Sequence, residues 1–119
     1  MANQSAQLDG VFHALSDPTR RAVLQRLGKG AAPVSELAEP FEMALPSLIK
    51  HLKVLEDAGL VKSEKEGRVR TYELVPKKFA TAERWLSDQR ALWESRLDRL
   101  DTYLHALEAE EQTKAKRRS

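Results

Sequence analysis

Apolar residues in the N-terminal half of the chain recur at helical spacing. Leu8, Val11, Phe12 and Leu15 stand at i, i+3, i+4 and i+7, which predicts a helix with one buried face, while the polar residues 1–6 before it are expected to be loose. Ser16-Asp17-Pro18 stops that helix and starts another. Asp17 is placed as its N-cap and Pro18 at its first position, where the missing N–H had no partner to lose. Val23, Leu24 and Leu27 give this second helix its apolar face and leave Arg20, Arg21 and Arg26 for solvent, acids or phosphate. For Arg20 and Arg21 a structural role is preferred, because an arginine beside acidic helices commonly finds a local partner. Gly28, Gly30 and Pro33 then mark a connection.

The next pattern is a short helix, a tight turn and a longer helix. Val-Ser-Glu-Leu-Ala-Glu precedes Pro40, and the residue before a proline is pushed out of helical geometry, so the first of these helices must end at Glu39. The second begins between Ala44 and Pro46, carries Leu48, Leu52 and Leu55 on one face, and is stopped by Gly59. Phe41 and Met43, in the turn, read as core plugs. Residues 60–64 and 69–75 follow as two short strands joined through Lys65-Glu66-Gly67-Arg68, with glycine where a positive φ is needed. The fold expected is mainly α with a small antiparallel β-hairpin: a winged helix-turn-helix.

Beyond Pro76 the character changes. From about residue 80 to 111 no glycine or proline occurs, and Leu86, Arg90, Trp93, Leu97, Leu100, Leu104 and Leu107 alternate by fours and threes, a heptad seam with one polar member. Trp85, Leu92 and Tyr103 widen the apolar surface. A helix of roughly thirty residues spans about 45 Å, more than a domain of this size covers by itself. A second copy of the chain is the most economical partner. The expected organisation is a DNA-binding unit over residues 1–79, a dimerisation helix over 80–111 packed as part of the same domain, and a disordered basic tail over 112–119 with Lys114, Lys116, Arg117 and Arg118.

The candidate chemistry lies on the second helix of the helix-turn-helix and on the hairpin. Ser47, Lys50, His51 and Lys53 fall mostly outside the leucine stripe, and the acids Glu56 and Asp57 are held to the far end. A helix whose N-terminal half carries donors and positive charge is suited to the major groove. Ile49 has two readings: pointing outward it would touch a thymine methyl, pointing inward it is core. His51 either donates to DNA or packs at the helix surface. Arg68 and Arg70 at or beside the hairpin tip, with Lys62 and Lys65 close by, can reach phosphates or the adjacent minor groove.

Composition narrows the alternatives. A length of 119 residues fits one domain, and 41% hydrophobic residues allow a modest core. The net charge is only +2, so affinity for nucleic acid must come from where charge is placed. No cysteine is present, which removes disulfides and thiolate metal sites and agrees with a reducing cytoplasm. No apolar run is long enough for a membrane span or a signal peptide, so the protein is expected to stay in the cytoplasm. His13, His51 and His105 stand on three different helices without a nucleophile or carboxylate at motif spacing, and no phosphate loop or metal signature appears. An enzyme is not expected, nor a cofactor.

Several of these stretches also carry a resemblance. Leu-Ser-Asp-Pro-Thr-Arg-Arg at 15–21, Val-Ser-Glu-Leu-Ala at 34–38, Lys-His-Leu-Lys-Val-Leu-Glu at 50–56 with Ala-Gly-Leu-Val after Asp57, and Gly-Arg at 67–68 resemble the ArsR family of bacterial transcriptional repressors. The likeness covers roughly residues 8–107 and is nearest to the branch without metal-binding cysteines. It implies a homodimer built by N- and C-terminal helices, here Leu86, Trp93, Leu97, Leu100 and Leu104 with Leu8 and Phe12, bound to a pseudo-palindromic duplex operator. Two positions depart from the family pattern: Ala44 stands where relatives often have a capping serine, and Ile49 where they often have serine. Some relatives bind metal through carboxylates and histidines on the C-terminal helix. Asp101, His105 and Glu108 lie on one face here, but the second half of that motif is missing, so no metal site is expected. The function expected is a homodimeric repressor acting by promoter occupancy. The rivals are a winged-helix protein interaction module, and a sensor whose small-molecule effector sits between the long helices near Trp85 and Trp93.

Overall fold

The computed structural model describes residues 2–118. Met1 and Ser119, the outermost residues of the expected loose N-terminus and basic tail, lie outside the described residues. Helix α1 (Ala2–Leu15) is followed by α2 (Pro18–Leu27), a two-residue strand β1 (Ala32–Pro33), α3 (Val34–Ala38), α4 (Leu45–Asp57), strands β2 (Val61–Glu66) and β3 (Val69–Leu74), and α5 (Pro76–Arg118). The chain divides into two compact units, Met1–Ala82 and Glu83–Ser119.

In the first unit the expected local signals act as their chemistry requires. Asp17 caps α2 by accepting the backbone N–H of Arg20 at 3.0 Å, with Pro18 in the first turn. At the far end of α4, Gly59 (φ 78°) lets the chain reverse. The N–H of Gly59 donates to the carbonyl of Glu56 and that of Leu60 to Leu55, both at 3.0 Å, the paired bonds of a Schellman stop. Leu55 and Leu60 are both fully buried, which is the apolar contact such a stop encloses. A Cβ at Gly59 would sit 3.1 Å from Cγ of Lys78, so a side chain is unwelcome there on steric grounds as well.

The core is built from α1, α2, α3, α4 and the sheet. Val11, Val23, Leu37, Leu48, Leu52 and Leu55 are among its fully buried side chains. Phe41 and Met43 pack against it, partly buried, as the sequence suggested. Leu8 and Phe12 do the same.

Several features differ from the sequence reading. The hairpin is part of a three-stranded antiparallel sheet of order β1-β3-β2, with Ala32 opposite Tyr72 and Pro33 opposite Thr71. A two-residue strand has no periodicity to detect, and its proline is tolerated because β1 lies at the sheet edge. The long helix starts at Pro76, not near residue 80, since proline fits a first helical turn. The expected loose N-terminus and the expected disordered tail are both helical: α1 begins at Ala2 and α5 runs on through Arg118. Residues 112–118 contain no glycine or proline, and Glu110 stands four residues before Lys114, a spacing that supports helix.

The second unit, taken by itself, is a single helical segment. Along it Leu86, Trp93, Leu97, Leu100 and Leu104 are about half exposed or more, as is Tyr103. The guanidinium of Arg96 lies over the Trp93 ring, 5.3 Å from its centre.

Candidate nucleic-acid interface

Three buried leucines decide which way α4 faces. With Leu48, Leu52 and Leu55 at 0–1% exposure, a rotation of about 100° per residue places Lys50 nearly opposite them and Lys53 beside it, with Ser47 on one flank and Ile49 on the other. Ser47, Lys50 and Lys53 are exposed. Ile49 is 46% exposed, which decides its orientation as outward, and Leu45, one turn earlier, is 50% exposed. Ala44 precedes the helix in extended geometry without a side-chain cap.

His51 occupies a different setting from the lysines. Its side chain is only one quarter exposed, and Nδ1 lies 3.2 Å from an Nη of Arg20 and 3.7 Å from a carboxylate oxygen of Asp17. A guanidinium can only donate, so Nδ1 accepts and the ring proton of the neutral form belongs on Nε2. The expected DNA contact from His51 is thereby narrowed: one ring nitrogen is committed to the protein.

Arg20 is the hub of this cluster and a buried charged residue, 8% exposed. Its Nε donates to the carbonyl of Ala14 at 2.8 Å and one Nη to that of His13 at 2.9 Å. These are carbonyls of the last turn of α1, where a cation is favoured. Arg21 donates to Leu15 at 2.8 Å, and Arg26 pairs with Glu36 at 2.9 Å. Arg20 and Arg21 are thus structural residues, and Arg20 joins α1, α2 and α4.

Asp17 completes the cluster. The Arg20 N–H bond holds its carboxyl below the ordinary value of 3.8, against a smaller opposing effect of burial and with help from the nearby His51 and Arg20 charges. A carboxyl depressed in the folded state contributes stability that is present above its unfolded value and lost as pH falls through the folded one. Urea denaturation of the parent should therefore show stability falling below about pH 4, and Asp17→Asn, which keeps a capping oxygen, should flatten that acid limb. An unchanged acid limb in the variant would refute the assignment.

The hairpin turns on two residues, Gly67 and Arg68, between the paired Glu66 and Val69. A positive φ at Gly67 (63°) but not at Arg68 is the sign pattern of a type II′ turn. Arg68 is thus at the tip and exposed. Lys65 pairs with Arg70, Ser63 with Tyr72 and Val61 with Leu74, so Lys65 and Arg70 share the face whose inner members, Val61 and Tyr72, enter the core. Arg70 is not a free cation. Its Nη1 donates to the Ser63 hydroxyl, which donates to the Glu56 carboxylate of α4, both at 2.8 Å. Burial, with the Glu56 charge second, raises the Tyr72 hydroxyl above its ordinary value. Lys62 turns to the other face and pairs with Glu73 at 3.2 Å.

The Glu56-Ser63-Arg70 link escaped sequence reasoning, because nothing in a linear pattern says which residue of a hairpin will meet the last turn of the preceding helix. Elsewhere, Asp101 and His105 approach to 3.8 Å on the exposed surface of α5. Among the described residues no group of three or more potential metal ligands gathers, and no helix is long and apolar enough to cross a membrane.

A family model described as a helix-turn-helix domain matches residues 15–64, which span α2 to β2. The chain is 43% identical over 68 residues to the HTH-type transcriptional regulator Rv2034 of Mycobacterium tuberculosis, an alignment that covers 57% of this chain and 64% of that regulator. It is 36% identical over 67 residues to the transcriptional repressor SdpR of Bacillus subtilis, covering 56% of this chain and 74% of the relative. A crystal structure of an ArsR family transcriptional regulator superimposes with a TM-score of 0.74 at 56% identity, over 76% of this chain and 94% of the other. Exposed Ser47, Lys50 and Lys53 on a helix seated by buried leucines, a hairpin after it, and these likenesses lead to one conclusion: the chain belongs to the ArsR family of winged helix-turn-helix transcriptional regulators.

Proposed function

We propose that this regulator is a homodimeric repressor that occupies a pseudo-palindromic duplex site near a promoter in the cytoplasm. The observation that carries the reading is the outward face of α4, where Lys50, Ser47 and Lys53 stand exposed beside each other on a helix held by its opposite side. Lysine, arginine and backbone N–H groups would neutralise phosphates and supply most of the affinity, with a steep salt dependence. Ser47, Lys50 and the free edge of His51 would read bases, while Arg68 and Lys65 engage the flanking backbone with Arg70 behind them.

Dimerisation is supported by the apolar stripe of Leu86, Trp93, Leu97, Leu100 and Leu104, which is unusually large for a surface facing water. A two-fold pair would set two α4 helices in successive major grooves about 34 Å apart. Repression is supported by the name of the repressor relative SdpR. No catalytic activity is part of the proposal.

Titration of the purified protein against its own upstream region at two salt concentrations tests this function. Sequence-selective binding that weakens steeply with salt is the expected result; equal binding to unrelated duplexes refutes it. Within that experiment Lys50→Ala should relax selectivity at one position per half-site, at about 1–3 kcal/mol if it contacts a base. Arg68→Ala should weaken all sequences alike.

A further inference from the structure

Leu45 and Ile49 are large aliphatic side chains about half exposed on the recognition helix, among its lysines. They stand one turn apart on one side of α4. Glu56, two turns after Ile49 on that same side, is the residue bound to Ser63 of the hairpin, so this row looks toward the wing. The other apolar positions Leu48, Leu52 and Leu55 are fully buried, so Leu45 and Ile49 are apolar for a reason other than the core.

Resting on the DNA-binding reading above, we infer that Leu45 and Ile49 form a methyl-reading pair that selects C5-methylated pyrimidines in the major groove. The C5 methyl of thymine is the apolar group that groove offers to a protein, and 5-methylcytosine presents the same group at the same carbon. Lys50 and Lys53, exposed alongside, attract the duplex that carries it. The four-residue step from Leu45 to Ile49 advances about 6 Å along the α4 axis, against a base rise of about 3.4 Å, so the pair spans one to two base steps. Two pyrimidine methyls at neighbouring or next-but-one steps of each half-site follow from that spacing.

The test uses the full chain and a duplex selected by it from random sequence. Each dT of a half-site is replaced in turn by dU, which removes the methyl and nothing else. Two positions should then bind the parent about fourfold more weakly each, the worth of one buried methyl group. Leu45→Ser and Ile49→Ser should each bind dT and dU duplexes alike at one of those positions, with thermal melting unchanged. At the same positions a 5-methyl-dC pair should bind the parent more tightly than a dC pair; equality there would overturn the methylcytosine part of the inference. If the parent stays sequence-selective yet tolerates dU everywhere, or both serine variants keep the parent's preference for dT, the pair does not read methyls and the exposed row is left for a protein partner. If the parent selects no duplex at all, it is the regulator reading itself that fails.

Discussion

Placing aspartate at both Leu97 and Leu100 is expected to convert the protein to a monomer and to lower its affinity for a two-half-site operator by at least about 100-fold. Both side chains are more than half exposed, at 61% and 53%, and belong to the second compact unit. In a dimer they would be buried against a second copy, where an unpaired carboxylate costs several kcal/mol. Once the halves separate, each recognition helix binds alone, and the effective concentration that ties the second binding event to the first is lost. Light scattering and a binding titration on the same sample decide the matter. A double variant that stays dimeric with the parent's affinity would exclude this stripe as the interface.

Arg20→Ala is expected to destabilise the folded state substantially. The guanidinium spans two carbonyls of α1 and the ring of His51; its loss leaves the buried Ala14 carbonyl and the part-buried His13 carbonyl without this donor and loosens the contact of α2 with α4. A cost of about 2–4 kcal/mol follows from charged hydrogen bonds of this kind. Arg20→Lys should recover only part of it, because one ammonium cannot reproduce the planar fork. Urea denaturation at one fixed protein concentration measures both, the concentration being held because dimerisation contributes to apparent stability. A loss under about 0.5 kcal/mol, the range of ordinary surface changes, would show the cluster to be incidental.

The sequence disclosed those parts whose physics is local. Asp17 and Pro18 mark the start of α2, Gly59 the end of α4, and the leucines of α4 its buried side, because capping, chain reversal and helical periodicity act within a few residues. Composition and local pattern are weaker guides at the ends, where a run of lysine and arginine after Glu111 reads as a disordered tail but continues the helix. The candidate site was legible as a set of residue types and much less so as a set of partners. His51 and Lys50 are neighbours with similar donor chemistry on paper. In space one is held by Arg20 and Asp17 while the other faces solvent. Arg68 and Arg70 look equivalent too, yet strand alternation and the neighbouring α4 helix give Arg70 a tether. Such distinctions depend on long-range contacts that no spacing rule encodes.

That tether also bears on the cost of binding. A hairpin hinged loosely to its neighbour would have to be immobilised on each encounter with DNA, surrendering conformational entropy that subtracts from affinity. With Ser63 linking Arg70 to Glu56 across the gap between strand and helix, the base of the wing arrives already set at its angle, and little but the tip around Arg68 is left to adapt.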